Sequence, residues 1–192
     1  ESAVVARWFD AAGFTVERFD APLVHEGAGD ALPFRAASGR HLLVGGHGPR
    51  SQLAAHEHLA RRLGVTVLPV GLVDERLYHL DMTFCPLDDR RALIVPEAWD
   101  REGRRLVEEL VPEPLVIGRA DAYRFMANAV VVDKVVLMPA CTPEVERRLS
   151  AWGFSVAVLD LSEFHKAGGS LRCLTLALDV VLDGAGPGQA AD

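Results

Sequence analysis

Cys173 follows the pair Gly168-Gly169 in the run Gly-Gly-Ser-Leu-Arg-Cys, where missing side chains permit close backbone approach or a positive φ. His79 stands two residues before Asp81 in Tyr-His-Leu-Asp. Glu26 and Asp30 share the Gly-rich run His-Glu-Gly-Ala-Gly-Asp, and Asn128 lies in Met-Ala-Asn-Ala-Val. A thiol near an imidazole is the pairing of nucleophilic catalysis. Carboxylates beside that thiol disfavour the thiolate unless a cation lies among them, so the set suits a cationic electrophile. A guanidinium is such a group: planar, always charged and matched by paired carboxylate acceptors. Each residue also has a plainer reading. A cysteine in an apolar stretch is usually a small core residue, His79 could be a satisfied buried imidazole, and Glu26, Asp30 and Asn128 could simply build turns.

What brings these residues together is a repeat. Asp30, Asp81, Asn128 and Cys173 recur at intervals of roughly 45–50 residues. The first three are each followed by a basic residue and an apolar run, Arg40-His-Leu-Leu-Val-Gly, Arg91-Ala-Leu-Ile-Val-Pro and Lys134-Val-Val-Leu-Met-Pro, which read as buried strands. Helical stretches come next. Ser51 is expected to cap a helix ending at Leu63 before Gly64, Asp100 to cap residues 101–110, and Thr142-Pro143 to open a helix reaching Trp152. Each helix leads to a further strand, at 65–70, 115–117 and 155–159. The unit is therefore strand, strand, helix, strand, an α/β module, and stacking such modules about an axis would make Glu26, Asp30, His79, Asp81, Asn128 and Cys173 converge at one end.

Residues 2–12 with a strand over Thr15–Phe19 resemble the second half of a module, and Cys173–Val181 a first strand alone. The 192 residues thus hold three full units and two half units, and the first of them opens inside a helix with no Met at position 1. We expect one domain over 1–183 and a disordered Gly- and Ala-rich tail over 184–192. The chain is 49% hydrophobic and 24% charged with a net charge of −7, which disfavours disorder and general nucleic-acid binding. No apolar stretch approaches a membrane span. Three widely spaced cysteines, Cys85, Cys141 and Cys173, support neither a disulfide framework nor a zinc ribbon and suit the reducing cytoplasm. Cys85 and Cys141 are read as buried. His56-x-His58 on a helix does not place both rings on one face, so no metal site is expected.

Four motifs taken together resemble the guanidino-group-modifying enzymes, and among them the bacterial dimethylarginine dimethylaminohydrolases. These are His-Glu-Gly-Ala-Gly-Asp (25–30), Tyr-His-Leu-Asp-Met-Thr-Phe-Cys-Pro-Leu (78–87), Asn-Ala-Val-Val (128–131) and Glu-Phe-His-Lys-Ala-Gly-Gly-Ser-Leu-Arg-Cys-Leu-Thr-Leu (163–176). The resemblance implies a five-bladed α/β propeller of ββαβ modules, the pentein fold, of which this chain is expected to lack the N-terminal one and a half modules. It implies Cys173 as nucleophile, His79 as general acid/base and Glu26 as the carboxylate orienting that histidine. Asp81 and Asp30 would surround the guanidinium, with Asn128 as a further contact, and Arg50 would take the substrate α-carboxylate.

The implied activity is hydrolysis of a methylated arginine to citrulline through a covalent thiouronium, without cofactor or metal. Arginine deiminase or dihydrolase chemistry on free arginine is the alternative within the family. A non-catalytic, truncated guanidino-binding or assembly protein is the alternative outside it; in either case the shortened ring is open to completion by a second chain, as in a homo-oligomer. A metal-dependent hydrolase, which would carry zinc or manganese, is a third. The expected partner is a small cationic guanidino compound, with no nucleic acid and no membrane.

Overall fold

The computed structural model describes residues 2–17, 19 and 22–184, so nearly all of the expected tail, residues 185–192, lies outside the described residues. Helix α1 spans Ser2–Ala11 and buries none of its own residues. Three modules follow, with the strand order expected from the repeat.

In the first module, β1 (Ala31–Arg35) runs antiparallel to β2 (His41–His47), and β2 runs parallel to β3 (Val67–Gly71). A parallel pair requires a crossover, which helix α2 (Leu53–Leu63) supplies. Alternation along β1 points Leu32 and Phe34 inward, while β2 is buried along nearly its whole length as the central strand. Gly64, at φ 66°, ends α2 in the left-handed conformation that glycine adopts without strain.

The second module repeats this plan. It consists of β4 (Phe84–Pro86), β5 (Arg91–Ile94), α3 (Arg101–Leu110) and β6 (Glu113–Val116). A short helix, α4 (Arg119–Ala122), leads to the third module. There β7 (Val130–Val132), β8 (Val135–Met138), α5 (Pro143–Ala151) and β9 (Ser155–Val158) take the same order, and α6 (Ser162–His165) follows. Two of the expected caps form: Asp100 Oδ1 accepts from the Gly103 N–H at 2.7 Å, and Thr142 Oγ1 from the Val145 N–H at 3.3 Å, with Pro143 in the first turn.

One apolar core runs through all three sheets, with Val44, Val70, Leu80, Phe84, Leu93, Met126 and Met138 almost fully buried. Backbone contacts join the first module to the second: the Asp100 N–H donates to the Gly71 carbonyl at 2.7 Å, and Leu72 pairs with Trp99 in an isolated antiparallel bridge. Within the second module, Trp99 Nε1 donates to Thr83 Oγ1 at 2.8 Å. Gly46 lets the first module close on the second, since a Cβ there would come within 2.7 Å of Leu80 Cβ and 3.0 Å of Asp30 Oδ1. No helix among the described residues is long and apolar enough to cross a membrane.

Three local expectations require correction. Ser51 does not cap α2; Gln52 precedes the helix without a side-chain cap, because the Ser51 hydroxyl is committed elsewhere. Residues 15–17 and 19 are not in a strand, and residue 18 lies outside the described residues. Cys173 sits in a 3-10 turn over Arg172–Leu174, and residues 175–181 form no strand. Both segments alternate as strands do, but among the described residues no strand pairs with either, and a strand exists only through its ladder. The apolar side chains of the second segment, Leu174, Leu176, Leu178 and Val181, are accordingly exposed.

Candidate active site

Successive modules deliver their polar residues to one cleft of about 360 Å³, whose walls include Glu26, His79, Asp81, Arg172 and Cys173. Glu26, His79 and Asp81 come from irregular chain where a turn of 3-10 helix precedes the first strand of a module, and Cys173 from a like turn that no strand follows among the described residues. Gly27–Gly29 leads to Asp30, Leu80–Met82 contains Asp81, and Arg172–Leu174 contains Cys173.

Asp30 lies beneath the cleft, fully buried, and does not line it. Its Oδ1 accepts the Leu80 N–H at 2.9 Å and its Oδ2 the Ser51 hydroxyl at 2.6 Å. The Ser51 oxygen in turn accepts the Glu26 N–H at 3.0 Å. Asp30 thus ties the Glu26 turn to the His79–Asp81 turn, and its place is structural support, where sequence reasoning expected contact with the guanidinium. Ser51 was read only as a helix cap. Its true partners are 21 and 25 residues away, a relation that local pattern does not encode.

His79 Nε2 lies 2.9 Å from Glu26 Oε2, and both side chains face the cleft. Gly29 makes room for the ring, since a Cβ there would come within 3.1 Å of His79 Nδ1. Arg50 also lines the cleft, with Nη1 3.4 Å from Glu26 Oε1 and its guanidinium 5.2 Å from the centre of the Tyr78 ring. The structure therefore places it on Glu26. Tyr78 closes the cleft on that side by donating its hydroxyl hydrogen to the Gly168 carbonyl. Neither Tyr78 nor Arg172 was singled out from sequence, and nothing in their local patterns marks them.

Asn128 is fully buried and does not line the cleft. Its Nδ2 is 3.5 Å from Cys173 Sγ and 3.3 Å from the Asp81 carbonyl, and its Oδ1 accepts the Arg172 N–H at 2.8 Å. It fastens the nucleophile turn to the Asp81 turn, and a role on the substrate itself is not what this geometry offers.

The Cys173 sulfur is open to the cleft, 3.8 Å from Asp81 Oδ2. Partial desolvation first, and the Asp81 charge second, push the thiol above its ordinary value. Asp81 is buried, with 2% of its surface exposed, and burial pushes its carboxyl up to about 6 against the pull of His79. Its Oδ1 accepts no hydrogen bond from any described residue. A buried acceptor of this kind is costly unless a donor satisfies it. At rest the site therefore holds a protonated thiol beside an under-satisfied carboxylate, and a cation bearing N–H donors corrects both.

The other cysteines differ. Cys85 is buried as expected, and burial pushes its thiol up to about 12. Cys141 is only partly buried, because it sits in the loop before α5. Among the described residues, no three His, Cys, Asp or Glu side chains gather where they could hold a metal ion.

No family model matches the chain. The bifunctional arginine dihydrolase/ornithine cyclodeaminase AgrE of Nostoc is 42% identical over 178 residues, which is 92% of this chain and 25% of AgrE. The dimethylarginine dimethylaminohydrolase of Mycobacterium tuberculosis is 35% identical over 93% of this chain and 57% of that enzyme. The N-terminal domain of ArgZ, a cyanobacterial arginine dihydrolase, has been solved with its product and also covalently bonded to a reaction intermediate. It superposes with a TM-score of 0.83 at 40% identity, covering 88% of this chain and 62% of that one. The chain thus spans between a quarter and a little over half of these curated relatives.

Proposed function

Because the chain belongs to the guanidino-group-modifying enzyme superfamily and has its pentein fold, we propose that it is a cysteine-dependent hydrolase acting on the guanidino carbon of a small cationic substrate. The observation that carries the proposal is the buried Asp81 carboxylate, with one oxygen lacking a donor and the other 3.8 Å from Cys173 Sγ. A guanidinium N–H on Asp81 Oδ1 satisfies that oxygen. Its charge also offsets the two effects that hold the thiol up, so substrate binding and nucleophile ionisation favour each other.

In the reaction, Cys173 Sγ bonds to the guanidino carbon, a C–N bond breaks, and His79 delivers a proton to the departing amine. Water then attacks the resulting thiouronium as His79 takes its proton; a C–O bond forms and the C–S bond breaks. Glu26 holds the imidazole ring in place and stabilises its protonated form. Asp81 contributes by charge and by fixing the guanidinium plane over the sulfur.

Free arginine is the leading substrate, because identity is higher to the arginine dihydrolases than to the methylarginine hydrolase, which reverses the order expected from the motifs. Dimethylarginine is the second reading, supported by the Mycobacterium relative. Three free thiols fit a reducing cytoplasm, and association with a second copy belongs to the same proposal. The test is to incubate the full chain with arginine and with dimethylarginine and to assay ornithine and citrulline. One such cycle on arginine leaves citrulline, and a second on the same carbon, with loss of another ammonia and of carbon dioxide, leaves ornithine; either product, absent in Cys173→Ala, is expected, and neither product from either substrate sinks the proposal.

A further inference from the structure

Neither Cys173 nor Asn128 lies in a regular element, so something else must hold their separation. The chain from Phe125 to Ser170 supplies a candidate. Phe125 has φ 61°, and among the described residues only Asp133 is another non-glycine at positive φ. Asp133 sits in the tight turn between β7 and β8, where that conformation is ordinary. Phe125 instead closes the turn that follows α4. Its N–H donates to the Ala122 carbonyl at 2.8 Å and the Met126 N–H donates to the Asp121 carbonyl at 3.2 Å, the pattern of a helix stop whose left-handed residue is usually glycine. A bulky aromatic in that place is uncommon and strained, and such strain persists where surrounding contacts over-determine it.

Those contacts lead to the nucleophile by two routes. Through the backbone, the Phe125 carbonyl accepts the Asn128 N–H at 2.9 Å, and Asn128 holds Arg172 and touches Cys173. Through the side chain, the Phe125 ring stacks on His165 with centroids 4.7 Å apart and planes 14° from parallel. His165 Nε2 lies 3.0 Å from the hydroxyl of Ser170, which is fully buried and stands three residues before Cys173. The Ser170 backbone lies close enough to the Cys173 thiol to favour its ionised form, an influence smaller than the desolvation and the Asp81 charge that oppose it.

We infer that Phe125 and His165 form a positioning pair that fixes the Ser170–Cys173 turn against Asn128. The pair touches neither substrate nor reacting atoms. The inference rests on the reading of Cys173 as nucleophile, but not on which guanidino compound is used. Asp81 and Asn128 contact the Cys173 sulfur, Tyr78, Arg172, His79 and Glu26 share its cleft, and Asp160 faces His165; none of them is altered in the test.

The experiment measures the pH dependence of Cys173 alkylation by iodoacetamide, together with kcat and KM on arginine. The variants are Phe125→Gly, Phe125→Tyr, His165→Leu and His165→Gln, with melting temperature as control. Glycine relieves the left-handed strain, so Phe125→Gly is expected to fold. Its alkylation midpoint should nonetheless rise, and kcat should fall roughly ten- to a hundredfold with KM little changed. Phe125→Tyr keeps the stack and should retain near wild-type behaviour. His165→Gln, whose planar amide both stacks and hydrogen-bonds, should retain more than His165→Leu. Wild-type alkylation and kcat in both Phe125→Gly and His165→Leu overturn the inference. Should Phe125→Gly not fold, the two His165 variants decide it alone. A wild-type chain that hydrolyses no guanidino compound defeats the proposed function instead, and the alkylation comparison still judges the pair.

Discussion

Asp81 has two effects that pull in opposite directions, and a single substitution separates them. Its charge raises the Cys173 thiol, so Asp81→Asn should let the thiolate form at lower pH, seen as an acid shift in iodoacetamide reactivity. The same change removes the carboxylate that meets the guanidinium, so hydrolysis should fall although the nucleophile ionises more readily. Asp81 is held up at about 6, which means that its ionised fraction grows as pH rises through that value. Affinity for arginine in the Cys173→Ala background should therefore strengthen from pH 5 to 7 by isothermal titration, and the step should vanish in Asp81→Asn. His79→Ala and Glu26→Gln belong to the same scale. The first should lower kcat by about 10²–10⁴. The second should lower it less, since Glu26 acts on the ring of His79 and on Arg50.

At the level of elements, two polar residues that precede helices make unlike predictions. Asp100 caps α3, so Asp100→Ala should cost about 1 kcal/mol in urea unfolding with little effect on turnover. Ser51 precedes α2 but holds Asp30 and the Glu26 backbone, so Ser51→Ala should cost about 1–3 kcal/mol and also lower kcat by loosening Glu26. The contrast shows what could be read beforehand. The modules were readable because buried strands and their helices repeat with local punctuation, such as Thr142-Pro143 and the Gly64 stop. The cluster of Glu26, His79, Asp81 and Cys173 was readable because the repeat makes equivalent positions converge. Ser51, Arg172 and the Phe125–His165 stack were not, since each takes its meaning from a partner tens of residues away in the chain. The segments 15–19 and 173–181 misled for a related reason: alternation describes a side-chain pattern, whereas strand formation needs a neighbour.

For the molecule as a whole, acid sensitivity should trace to a pair of imidazoles behind the cleft. His25 and His56 meet edge to face with centroids 4.8 Å apart. The Gly27 N–H donates to His25 Nδ1, leaving the buried Nε2 without a partner among the described residues, and His56 Nε2 contacts the Gly46 carbonyl at 2.7 Å. Burial first, and His56 second, lower His25 to about 4, and burial lowers His56 as well. Unfolded, each would titrate near 6.5, so the stability they give is complete above that value and is lost as pH falls toward 4. Asp81 runs the other way, its raised value making ionisation cost stability as pH climbs from about 4 to 6. The difference in urea stability between wild type and His25→Leu should therefore shrink on acidification over this window. A difference that stays constant from pH 7 to 4 would remove His25 from the account.

The placement of the site between modules also orders events in time. Within each module the ladders join residues close in the chain, while the site contacts span 53 residues for Glu26–His79 and 92 for Asp81–Cys173. Contacts separated so widely must wait for long loops to close, and they form late. On dilution from urea, far-ultraviolet ellipticity should return first, and burial of the Trp99 indole should follow as the first two modules dock. The reactivity of Cys173 should recover last, so the chain would be well folded by spectroscopy before it could do any chemistry.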